Sequence, residues 1–160
     1  MMRTIKGPGV FLAQFAADDA PYNSLASLAA WASAKGFKGV QIPTWDTRLI
    51  DMKQAAESDA YCDDLKGMLG EHGLEITELA SHITGQLVAV HPAHDAIMDS
   101  FAPEHVRGNP AKRRAWAEEQ LRFAARASKR LGIDRHVTFP GALLWPYLYP
   151  YPQWPEGLVE

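Results

Sequence analysis

Four short apolar runs alternate along the chain with three longer stretches of helical spacing, and every helical stretch closes on a glycine. Val10 to Phe15, VFLAQF, follows Gly7-Pro8-Gly9 and reads as a buried strand. Asn23 or Ser24 is placed to cap a helix in which Leu25, Leu28, Ala29 and Ala32 share one face, and Gly36 is placed to stop it. The strand Gly39 to Ile42 comes next, ended by Pro43, and Ser58 caps a second helix that runs to Gly73. Leu74 to Ala80 forms the third strand. A long excursion then fills Gly85 to Pro110. Asn109-Pro110 opens a third helix that stops at Gly132, with Trp116, Leu121, Ala124, Ala125 and Ala127 as its apolar stripe, and His136 to Phe139 is the fourth strand. A β-α-β-α-β-α-β order predicts an α/β fold of parallel (β/α) units, because parallel neighbours need a crossover and the crossovers here are helices.

Two architectures share that pattern, an open doubly wound sheet and part of a TIM barrel. No G-x-G-x-x-G follows the first strand and no Walker-type loop is present, which removes support from a nucleotide fold. A whole eightfold barrel needs about 250 residues. The chain has 160, so residues 1–160 read as a partial barrel domain, strands one to four, followed by a proline- and aromatic-rich tail at 140–155.

Bulk properties narrow the function. A net charge of −3 and a pI near 6.1 do not suit a nucleic-acid surface. Lys112, Arg113 and Arg114 are followed by Glu118 and Glu119 on the same helix, which reads as a solvated mixed-charge face. The one cysteine, Cys62, permits no internal disulfide and fits a reducing compartment. No apolar run has bilayer length and the start lacks a signal-peptide core, so a cytoplasmic protein without membrane partners is expected.

The segments FLAQF, AKGFKGVQIPTWD, HGLEITELASHITGQLVAVHP and VTFPGALLWPYLYP resemble, in order and spacing, the sugar phosphate isomerase/epimerase family of xylose isomerase-like TIM barrels. The resemblance implies the amino-terminal half of a TIM barrel and a carbohydrate substrate, a sugar or sugar phosphate. It implies proton transfer next to a carbonyl, assisted by a divalent metal such as Mn, Mg, Co or Zn whose ligands lie mostly beyond residue 160. It also implies a missing carboxyl-terminal half or a homo-oligomer. A keto-sugar lyase, an apurinic-site endonuclease-like hydrolase and a non-catalytic half-barrel that assembles with a partner stay open beside it.

In such a barrel the carboxyl ends of the strands line the site. That reading nominates Gln14, Gln41, Trp45 and Trp145 to hold a sugar, amides for its hydroxyls and indoles for its flat faces, and His82 as the catalytic group. Metal ligation by His82 is the second option. Many relatives carry an acid in the second strand, where this chain has Gln41. Glu78 is either an interior hydrogen-bonding residue or solvent-facing. Asp46 is either a site carboxylate or a helix cap. His91 and His94, spaced H-P-A-H, read as loop and capping residues rather than a metal pair, and His136 shows no partner in the sequence.

Overall fold

The computed structural model describes residues 5–143. The chain divides into two compact units, Met1–Ser81 with Arg122–Val137, and His82–Leu121 with Thr138–Glu160.

The first unit is a parallel sheet with helices packed on it. Strand β1 is Gly9–Phe11, followed by a 3-10 turn at Leu12–Gln14, helix α1 at Leu25–Ala34 and strand β2 at Gly39–Pro43. Helices α2, Met52–Glu57, and α3, Asp59–Glu71, lead to β3, Glu75–Ala80. The chain then passes through α4, His82–Gly85, β4, Ala89–Val90, α5, Asp95–Met98, and α6, Pro110–Leu131, before β5, His136–Val137, and β6, Gly141–Ala142. The sheet order is β1-β2-β3-β5, every pair parallel. An α/β fold with a parallel four-stranded sheet is therefore present, as the alternation predicts.

Local chemistry sets the boundaries. The Ser24 hydroxyl accepts the Ser27 N–H at 3.2 Å and Ser58 accepts that of Tyr61 at 3.1 Å, each satisfying an amide the helix leaves open. Gly73, just past α3, sits at φ 65°, a left-handed conformation that a side chain would strain. Leu28, Ala29, Ala32, Leu65 and Leu69 from the helices close over Val40, Ile42 and Leu79 from the sheet, with Ala124, Ala127 and Leu131 of α6. Each fully buried leucine or isoleucine in that set contributes about 1.5 to 3 kcal/mol.

The structure departs from the sequence reading at several points. The first apolar run is a strand only to Phe11. Phe15 and Ala16 then donate backbone bonds to the Leu12 carbonyl, a turn that drives Leu12 into the core. Helix α2 is additional, capped by Asp51, whose carboxylate accepts the Gln54 N–H. Ala125 is exposed and Ala117 takes its place in the buried stripe. The fourth strand spans two residues, not four.

In the second unit, Leu87, Met98, Ala102, Val106 and Ala117 form a small core, with Trp116, Val88 and Val90 packed on it, and β4 pairs in parallel with β6. Arg113 corrects the solvated-face reading of the basic cluster. Its side chain is 2% exposed and is ion-paired to Asp95 and, at 2.6 Å, to Asp99. Burial pushes the Asp99 carboxyl up, but the Arg113 and Gly108 hydrogen bonds outweigh it and hold the group below its ordinary value. No helix among the described residues is long and apolar enough to cross a membrane.

Candidate functional site

Alternation along a strand sends neighbouring side chains to opposite faces. Val40 and Ile42 of β2 point into the helix-covered core, so Gln41 points to the other face, where it is half-buried. Strand register extends that row: Phe11 of β1 pairs with Gln41, and Gln41 pairs with Glu78 of β3. The Gln41 side-chain amide donates to Glu78 Oε1 at 2.5 Å. Trp45, two residues past the end of β2, meets the Phe11 ring edge to face, with centroids 6.2 Å apart and planes at 81°. An amide, a carboxylate and two aromatic rings thus share one unit, with Phe11, Gln41 and Glu78 in one cross-strand row.

The pairing of Gln41 with Glu78 depends on an irregularity. Val40 lies opposite Ile76, yet the next residue of β2, Gln41, lies opposite Glu78, so Thr77 is an inserted residue in β3. The Thr77 hydroxyl donates to the Val40 carbonyl at 3.0 Å. Its methyl lies over Gly39, where a Cβ would stand 2.4 Å from Thr77 Cγ2. Gly39 is therefore required for a close approach, not for a turn.

At the carboxyl ends of the same strands, Thr44 Oγ1 donates to Ser81 Oγ at 3.3 Å, and Ser81 Oγ lies 2.6 Å from His136 Nε2. Ser81 is buried and His136 exposed. The Leu79–His136 register places this chain on the core side of the sheet, away from Gln41. It ties β3 to β5, and no spacing in the sequence foretells it because the partners are 55 residues apart.

Gln41 and Trp45 fall in the unit just described. Gln14 ends the 3-10 turn and is exposed, because the chain leaves the sheet at Phe11; Phe11 occupies the row instead. His82 opens α4 in the second unit, its ring 4.4 Å from that of Phe139. Trp145 lies outside the described residues. Asp46 is not a helix cap. It accepts the backbone N–H and guanidinium of Arg48, whose hydrogen bonds hold its carboxyl below the ordinary 3.8 against the opposing effect of burial. His91 Nδ1 accepts the Ala93 N–H at 3.1 Å, a local cap. His94 is buried, and burial, then His91, pushes its imidazole below the ordinary value.

A metal site needs several His, Cys, Asp or Glu ligands converging. Among the described residues no group of three or more gathers in that way. Glu78 is one carboxylate with its Oε1 already bound to an amide. The described residues do not form a metal site by themselves.

A separate cleft of about 270 Å³ opens at the amino ends of β3 and β5, lined by Leu69, Leu74, Ile76 and Leu131 with Lys66 and Arg135. It lies at the opposite end of the strands from Trp45 and Ser81. No family model matches the chain, and no curated protein matches it.

Proposed function

We propose that the chain belongs to a carbohydrate isomerase or epimerase of TIM-barrel type, and that the four parallel strands are barrel strands one to four. The observation that carries the reading is the cross-strand row of Phe11, Gln41 and Glu78 with Trp45 beside it. On either face of an ordinary parallel sheet such positions are apolar, since both faces are normally buried. Polar residues there suit a face that meets a ligand. Gln41 supplies hydrogen bonds to hydroxyls, while Phe11 and Trp45 supply flat apolar area for the C–H face of a sugar ring.

Deuterium wash-in tests the reading. The protein is incubated in D₂O with aldoses, ketoses and their phosphate esters, in the presence of Mn, Mg, Co or Zn, and followed by proton NMR. At least one sugar is expected to lose the proton on the carbon beside its carbonyl. Trp45→Ala is expected to weaken that sugar's binding about tenfold, or about 1.4 kcal/mol. No wash-in with any sugar or metal sinks the proposal.

A further inference from the structure

We infer that Glu78 is a catalytic residue of this site, the carboxylate that takes and returns the carbon-bound proton, and that the Thr77 insertion in β3 is what aims it. The inference rests on the isomerase reading above.

Three independent features of the strand support it. The first is direction. Ile76 packs toward the core opposite Val40, and strict alternation would send Glu78 to that same apolar side. The inserted Thr77 reverses the parity after Ile76, so Glu78 joins Gln41 while Leu79 joins Ile42 in the core. Such bulges are rare between parallel strands, and they recur beside active sites because they re-aim one side chain. The second is support. The bulge is held by the Thr77 hydroxyl on the Val40 carbonyl, and a glycine at position 39 makes room for the Thr77 methyl. The third is charge. Glu78 is half-buried, and among the described residues its hydrogen-bond partner is the neutral Gln41 amide, with no cation paired to it. Partly desolvated carboxylates are ordinarily paired, because an unpaired one lowers stability. Local rules are broken in this manner at functional sites.

The geometry leaves the groups needed for the step. Gln41 holds Glu78 Oε1, so Oε2 is left to face a ligand, and the second hydrogen of the Gln41 amide remains for a substrate oxygen. Oε2 takes the proton from the carbon beside the carbonyl. The C–H electron pair becomes the C=C bond of an enediolate, and the carbonyl π pair moves to oxygen, where the Gln41 N–H donates a hydrogen bond. Isomerisation returns the proton to the former carbonyl carbon while a hydroxyl proton passes between the two oxygens. Electrons and protons balance with no oxidant.

Glu78→Gln is the test, since it keeps the shape and a hydrogen bond to Gln41 while removing the charge. Wash-in into the sugar that the wild-type protein exchanges is expected to fall at least about 100-fold. The sugar-induced NMR shifts are expected to persist, and the Tm to stay level or rise. Wild-type exchange rates in Glu78→Gln overturn the inference and leave the isomerase reading standing. A lower Tm overturns it too, since it would mark a structural carboxylate. Absence of wash-in by the wild-type protein overturns both. Gly39→Ala probes the aiming separately: it is expected to lose exchange, and Thr77→Ser on that background, which removes the methyl and keeps the hydroxyl, to restore it. Full exchange in Gly39→Ala alone overturns the role of the bulge.

Discussion

Arg113 shows how far one side chain departs from its sequence surroundings. Three consecutive basic residues on a helix are ordinarily solvated, and Arg114 is, bridging Glu118 one turn on at 2.9 Å. Arg113 turns inward because two carboxylates from the preceding segment, Asp95 and Asp99, and the Asp95 carbonyl meet its guanidinium. Removing one member of a buried ion pair costs about 3 to 5 kcal/mol. Here Asp95 and Asp99 remain 29% and 21% exposed and can recover water, so the effect is smaller. Arg113→Leu is expected to lower stability by about 2 to 3 kcal/mol, measured by urea denaturation. Arg114→Leu is expected to change it by less than about 0.5 kcal/mol. Equal effects of the two would contradict the assignment.

At the level of elements, the caps were legible and the strand ends were not. Ser24, Ser58 and Asn109 sit before helical patterns with their glycines placed behind, and each accepts the N–H three residues on. Capping is a local bond, so its signal is local. Ser58→Ala is expected to destabilise the protein by about 1 kcal/mol, read as a lower urea midpoint at unchanged slope. No loss would mean that the Tyr61 amide finds another acceptor. Strand ends, by contrast, depend on where a partner strand stops. VFLAQF could have continued to Phe15, but Leu12 gains more by entering the core than by extending a ladder. The β3 bulge is equally invisible in EITELA, because it exists only relative to the register of β2.

At the level of the whole molecule, the two units have unequal cores. The sheet unit buries Leu12, Leu28, Ile42, Ile50, Leu69 and Leu79 at 3% exposure or less. The second unit relies on a handful of residues around Leu87 and on the Arg113 ion pairs. Local opening free energy follows buried apolar contact. Native-state hydrogen exchange is therefore expected to be slowest in β2, β3 and α1, and faster by at least about tenfold in residues 86–106. Uniform protection across both units would refute a difference in local stability.

The alternation of strands and capped helices, read from spacing alone, determined the α/β class and a parallel sheet, because hydrophobic period and cap chemistry are properties of neighbouring residues. The position of Gln41 within the second strand and of Trp45 just past its end was also legible, since Gly39 and Pro43 delimit that strand. Phe11 in place of Gln14, the partner of His136, the burial of Arg113 and the direction of Glu78 were decided by the tertiary structure. Each depends on which distant residue stands opposite, and in β3 one inserted threonine is enough to exchange the two faces of a strand.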